Sequence, residues 1–259
     1  MTTKKQNLRM IGRIKKYIRK NKSARENTLV DVTDDDFWEI YEICKPYTMT
    51  SLERMYGLYE AVKYILRNNI KGDFVECGVW RGGSAMLIGE VLARQKVSDR
   101  KIFLYDTFEG MSPPTSSDVD LNGNSATSLL EANLNDRADT VWCEAPLEQV
   151  KQNMQSCGLS DTQVVYVKGE VENTIPNIIP DAISLLRLDT DWYESTSHEL
   201  LYLYPKLSIG GVLIVDDYGH WQGCQKAVDE YFKTLKFPPL LNRLDYTGRM
   251  AIKYRDEVC

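Results

Sequence analysis

The chain has 259 residues, 43% hydrophobic and 27% charged, which suits one large globular domain with a full core. Its net charge of −5 hides an asymmetry: residues 1–25 hold ten Lys and Arg and no acid, leaving 22 basic against 37 acidic side chains in the remainder. So acidic a body repels phosphate backbones, so nucleic acid is not an expected partner, and no apolar run approaches the roughly 20 residues that span a bilayer.

The N-terminus lacks the apolar core of a secretory signal, and a cytoplasmic location is expected. None of the six cysteines forms a Cys-x-x-Cys pair, which points to free thiols in a reducing compartment and away from structural zinc.

In chain order, residues 1–30 read as a basic, partly helical extension. The stretch 13–22 is taken as a solvated charged face rather than a membrane or nucleic-acid contact. Residues 31–70 read as a helical cap. Phe37, Ile40, Tyr41 and Cys44, then Leu52, Met55, Tyr56, Tyr59, Val62 and Leu66, recur at helical spacing, with Asp34 or Asp35 and Thr50 or Ser51 as N-caps. This preface offers an apolar face beyond the core, so a homo-oligomer is expected.

From residue 71 to 259, strands and helices alternate. Strands are expected at 74–77, 101–105, 163–167, 183–188 and 211–215, with helices at 84–96, 146–157, 193–207 and 224–235. Two final strands, near 241–246 and 249–254, meet in a hairpin at Thr247-Gly248. Such alternation implies an α/β doubly wound parallel sheet with right-handed crossovers. The polar loop 110–125 is long enough to read as a lid or substrate loop.

Four aliphatic runs end in chemistry. Asp73-Phe-Val-Glu76-Cys-Gly78-Val-Trp-Arg-Gly82-Gly83-Ser84 misses the dinucleotide fingerprint by one residue of spacing, and its acidic Glu76 suits a ligand bearing an amino group. Asp106 closes the second strand, where an acid can accept both ribose hydroxyls. Asp189 and Asp191 follow the fourth strand, and Asp216 and Asp217 follow the fifth. Ligands bind outside the carboxyl ends of such strands. Hard oxygen ligands gathered there suggest Mg²⁺ or a similar divalent cation, since four clustered carboxylates repel one another otherwise. His220 could serve as base or ligand but reads more simply as a satisfied surface residue. Trp80 and Arg81 are expected to pack and pair, whereas Tyr47, Tyr193 and Tyr218 lie where a ring could stack on a sugar.

Residues 72–84, Asp106-Thr-Phe-Glu-Gly110, Leu186-Arg-Leu-Asp-Thr-Asp-Trp-Tyr-Glu-Ser-Thr196 and Gly210-Gly-Val-Leu-Ile-Val-Asp-Asp-Tyr218 together resemble the macrocin O-methyltransferases over roughly residues 45–255. The basic N-terminal residues stand outside that resemblance. It implies the class I methyltransferase fold, a Rossmann-like sheet in order 3-2-1-4-5-7-6 with strand 7 antiparallel. It further implies methyl transfer from S-adenosylmethionine to a sugar hydroxyl of a natural product or glycan, with Mg²⁺. By position it implies Asp189, Asp216 and Asp217 as metal ligands and Asp191 as general base. Thr50, Glu76, Gly78, Ser84, Asp106, Thr107 and Gly169 are implied as cofactor residues. The expected partner is a small glycosylated acceptor. The rival reading is a nicotinamide-dependent sugar dehydrogenase on a related sheet.

Overall fold

The computed structural model describes residues 31–160 and 162–256. The basic extension expected over residues 1–30 lies outside the described residues. Asp34 and Ser51 prove to be the caps, their side chains accepting from the Asp36 amide at 3.0 Å and the Arg54 amide at 3.2 Å. They open helices α1 (Asp35–Cys44) and α2 (Leu52–Arg67).

The alternating part then runs β1 (Asp73–Cys77), α3 (Gly83–Arg94), β2 (Ile102–Asp106), α4 (Ala126–Ala132), α5 (Leu147–Gln155), β3 (Val164–Lys168), α6 (Val171–Thr174), β4 (Ile183–Leu188), α7 (Tyr193–Leu203), β5 (Leu207–Val215), α8 (Gln222–Thr234), β6 (Asn242–Arg243) and β7 (Arg249–Ile252). The strands form one sheet in order β3-β2-β1-β4-β5-β7-β6. The first five are parallel, and β7 runs antiparallel to both neighbours.

Period-two alternation sorts the strand side chains between two cores. Phe74, Ile102, Leu104, Leu185, Val212 and Ile214 pack with α1, α2 and α3 on one face. Val75, Phe103, Tyr105, Leu186, Leu213 and Val215 pack with α7 and α8 on the other. Strands buried on both sides explain why their sequences read as continuous aliphatic runs. The apolar face of α1 and α2, expected to serve a second subunit, is spent in this chain's own core. Phe37 is fully buried and touches the rings of Trp38, Tyr41, Tyr56 and Tyr59 at centroid distances of 5.0 to 5.8 Å.

Several boundaries move. Helix α7 stops at Leu203 because Pro205, lacking an amide hydrogen, sits in a 3₁₀ turn. That lets β5 begin at Leu207 rather than 211. The penultimate strand shrinks to Asn242–Arg243. The short helices α4 and α6 carry too few residues to show a period in sequence.

Replacing Phe37 by Ala should lower unfolding free energy by about 3–5 kcal/mol in urea titrations, the usual cost of emptying an aromatic core site. A loss below about 1 kcal/mol would mean that α1 is appended to the core rather than part of it.

Candidate active site

Where the parallel strands end, a cavity of about 380 Å³ opens at the carboxyl edge of the sheet. Thr50, Gly78, Ser84, Asp106, Thr107, Gly169, Asp189, Asp191, Asp216 and Asp217 all line it. Six separate segments of chain thus deliver the residues singled out from sequence to one hollow. Glu76 is the exception: it lies wholly buried outside the lining.

What organises the hollow is Arg187, a residue the sequence reading passed over. It stands inside β4, beside Glu76 of β1, and is 1% exposed. Its Nη1 donates to Glu76 Oε1 at 2.6 Å and to Asp189 Oδ2 at 2.7 Å. Its Nη2 donates to Thr50 Oγ1 at 3.0 Å and to Asp216 Oδ1 at 2.7 Å. One guanidinium therefore ties α2's leading segment to three adjacent strands. Despite the opposing effect of burial, Asp189, Asp216 and Glu76 hold it well above its ordinary pKa. The available signal was a lone cation in the middle of an aliphatic run, which is too costly to bury unpaired. Arg54, also missed, donates from Nη1 to Asp216 Oδ2 and from Nε to Asp245 Oδ2 at 3.0 Å.

The glycine turn is constrained by its neighbours. Gly78 has φ +81°, and a Cβ there would stand 2.0 Å from the Asp189 carbonyl oxygen, so the adjacent strand alone demands glycine. Asp106 folds back on the same turn. Its Oδ2 accepts from the Val79 and Trp80 amides at 2.7 and 3.2 Å, and its Oδ1 from the Phe108 amide at 2.6 Å. Burial nevertheless raises its pKa. Ser84, in the first turn of α3, gives its hydroxyl to Glu76 Oε1, while Glu76 Oε2 is buried with no hydrogen-bond partner.

The four aspartates divide in two. Carboxylate oxygens of Asp189, Asp191 and Asp217 lie within 4.8 Å of one another, a spacing able to hold a cation. Asp216 instead has both oxygens on guanidinium groups. Asp189 follows β4 directly, but Asp191 adopts φ +68°, a left-handed conformation uncommon outside glycine that turns it back toward Asp217. Burial, then repulsion between neighbouring carboxylates, pushes Asp189 and Asp217 well above the ordinary carboxylate range. Asp191 is pushed up to about 7, chiefly by burial, against the lowering effect of hydrogen bonds to Asp217 and Trp221. Asp217 Oδ2 is buried without a hydrogen-bond partner.

At the mouth stand Tyr47 and Tyr246. Tyr193 and Tyr218 are absent from the lining: their hydroxyls are held at 2.7 Å by Glu230 and Asp229. Arg81 stacks on Trp80 and pairs with Asp139 at 2.9 Å, as expected. His220 lines the cavity, with its pKa lowered by burial and its Nδ1 3.4 Å from the Tyr246 hydroxyl. The later part of loop 110–125 is pinned. Buried Asp118 accepts from the Thr115 amide at 2.6 Å and the Tyr193 amide at 2.8 Å, and Val119 O accepts from the Gln222 amide at 2.9 Å. Only its leading residues, Gly110 to Ser112, border the cavity.

Sheet order and an acidic hollow beside a strand-to-helix turn define a methyltransferase of the Rossmann-like class. A family model described as macrocin O-methyltransferase (TylF) matches residues 7–253, so most of the basic segment falls inside the family match rather than outside it. The demethyldecarbamoylnovobiocin O-methyltransferase of Streptomyces niveus is 36% identical over 202 residues, 78% of this chain and 74% of that one. The mycinamicin III 3″-O-methyltransferase of Micromonospora griseorubida is 34% identical over 71% of this chain and 70% of its own length. A Streptomyces olivaceus relative, also 34% identical over 78% of this chain and 74% of its own length, is named for the 4′-O-methylation of a rhamnosyl tetracenomycin. Among solved structures, the O-methyltransferase NovP superposes with a TM-score of 0.70 at 32% identity, covering 81% of this chain and 83% of its own. This chain belongs to the macrocin O-methyltransferase family and is an S-adenosylmethionine-dependent O-methyltransferase. The rival dehydrogenase reading finds no support, since these matches are methyltransferases.

Arg187→Met should destabilise the fold by about 3–5 kcal/mol in urea unfolding, because Glu76 and Asp216 would remain buried, and Asp189 half-buried, without their shared cation. Stability equal to wild type would show that the guanidinium is dispensable to the rim.

Proposed function

We propose that this enzyme methylates a sugar hydroxyl on a glycosylated small molecule, with Asp191 as base and a divalent cation, Mg²⁺ in the first instance, held by Asp189, Asp216 and Asp217. The observation that carries the reading is the convergence of Asp189, Asp191 and Asp217 oxygens within 4.8 Å in the cavity that also holds the Gly78 turn. A cation fits these residues: buried Asp217 Oδ2 lacks any partner, and hard carboxylate oxygens are the donors Mg²⁺ prefers. The names of the relatives support the sugar, as do the rings of Tyr47 and Tyr246 at the mouth. A cytoplasmic setting agrees with the free thiols of Cys44, Cys77, Cys143, Cys157 and Cys224.

A sulfonium methyl donor supplies the electrophile, and a divalent cation acidifies the hydroxyls it binds. The chain does the rest. Gly78, Ser84, Asp106, Thr107 and Gly169 line the side of the cavity assigned to the donor, with Thr50 at its methionine end, and Glu76 sits behind Ser84. Asp191 receives the proton of the attacking hydroxyl as that hydroxyl's oxygen bonds to the methyl carbon and the carbon–sulfur bond breaks, its electron pair leaving on the thioether sulfur of S-adenosylhomocysteine. Burial pushes the Asp191 carboxylate up to about 7 without a cation, and a bound cation would lower it while leaving it ionised and able to take the proton. Asp189 and Asp216 stand near Asp191 as like charges, which adds to its basicity.

Asp191→Asn should lower kcat at least about 100-fold in a labelled-methyl assay on glycosylated acceptors while donor affinity by calorimetry stays near wild type. An unchanged kcat would remove Asp191 as base. Excess chelator should abolish transfer and added Mg²⁺ restore it; full activity in chelator would reject the cation.

A further inference from the structure

Asp216 has a carboxylate with no oxygen to spare. Oδ1 accepts from Arg187 Nη2 at 2.7 Å, and Oδ2 accepts from Arg54 Nη1. A cation that recruits Asp216 must share it with these guanidinium groups or displace one of them, and their positive charges oppose it either way. Arg187 cannot withdraw: it is 1% exposed, and its two Nη groups already serve Glu76, Asp189 and Thr50 as well.

Arg54 has somewhere to stay. Its Nε donates to Asp245 Oδ2 at 3.0 Å, and that oxygen also accepts from the Ser51 hydroxyl at 2.7 Å. Asp245 is itself immobilised, since its Oδ1 accepts from the Thr247 and Gly248 amides at 2.9 and 2.7 Å. The guanidinium thus spans two acids, one at the cation site and one fixed in the turn between β6 and β7. It can release Asp216 and still keep a charged partner.

We propose that Arg54 is a positioning residue that competes with the divalent cation for Asp216, using Asp245 as its second anchor. This rests on the cation reading given above. The competition sets cation affinity below what the carboxylates alone would give. It also connects the cation site to Ser51, the cap of α2, and so to the Thr48–Thr50 segment lining the donor's side of the cavity. Without Arg54, Asp216 keeps one guanidinium and frees an oxygen, and a unit positive charge leaves the site.

The test is Mn²⁺ binding to the full-length protein by electron paramagnetic resonance, with Mg²⁺ binding by calorimetry alongside. Arg54→Gln should bind Mn²⁺ at least about tenfold more tightly than wild type. Asp245→Asn keeps the Oδ1 acceptor but removes the second charged anchor, so Arg54 should hold Asp216 harder and Mn²⁺ should bind about threefold or more weakly. A merely structural role would weaken binding in both variants, so tighter binding by Arg54→Gln excludes it. Equal or weaker binding by Arg54→Gln overturns the inference and leaves the cation reading intact. Should that variant not fold, unchanged or tighter binding by Asp245→Asn overturns it instead. Wild-type protein that binds no Mn²⁺ would sink the cation reading itself, and this inference with it.

Discussion

A single buried cation holds the active edge together. Arg187 is surrounded by Glu76, Asp189 and Asp216, three acids from three adjacent strands, with Thr50 completing its contacts. Burying a guanidinium is expensive unless its donors are met, and burying those acids is expensive unless a cation stands between them. Each side therefore makes the other tolerable. Strand register does the alignment, because Arg187 pairs across with Glu76 on one side and Ile214 on the other. The backbone ladder then runs one residue further, the Asp189 amide donating to Cys77 O at 2.8 Å and the Asp216 amide to Leu188 O at 2.9 Å. The carboxylates are delivered by the sheet rather than by loops.

One guanidinium does not neutralise the whole edge. Arg54 supplies a second positive charge, yet Asp189, Asp191 and Asp217 still crowd one another, and burial pushes their pKa values upward. Backbone conformation records the same demand. Trp80, Cys143 and Asp191, all on the cavity wall, adopt positive φ without being glycine. Such residues persist only where surrounding structure fixes them, and they gather at functional sites. Behind the wall, buried Glu199 accepts from the Thr190 hydroxyl at 3.0 Å and braces the turn between Asp189 and Asp191.

Much of this was legible in the sequence because the signals are local. Aliphatic runs bounded by glycine gave the parallel strands, and the aspartates that close them marked the rim. Asp34 and Ser51 were within reach because capping depends on a few consecutive residues. What stayed hidden depends on contacts between distant segments. Arg187 looks like an interruption of a strand until Glu76 and Asp216 stand beside it. Arg54 reads as one more helical surface charge until the turn holding Asp245 closes over it. Gly78 suggested an approach to a ligand, whereas the Asp189 carbonyl already requires glycine there. Tyr246 belongs to the mouth only because the final hairpin folds back to β5, a pairing that no local pattern encodes.

The central claim is that Asp189 and Asp216, gathered by Arg187, form one cation site with Asp217 next to the donor. A crystal structure grown with Mn²⁺ and S-adenosylhomocysteine, read by anomalous scattering, tests it most directly. The account predicts one strong peak roughly 2.0–2.6 Å from oxygens of Asp189 and Asp217, with the nucleoside seated between the Gly78 turn and Asp106. Nucleoside density in that seat with no peak between these aspartates would contradict it.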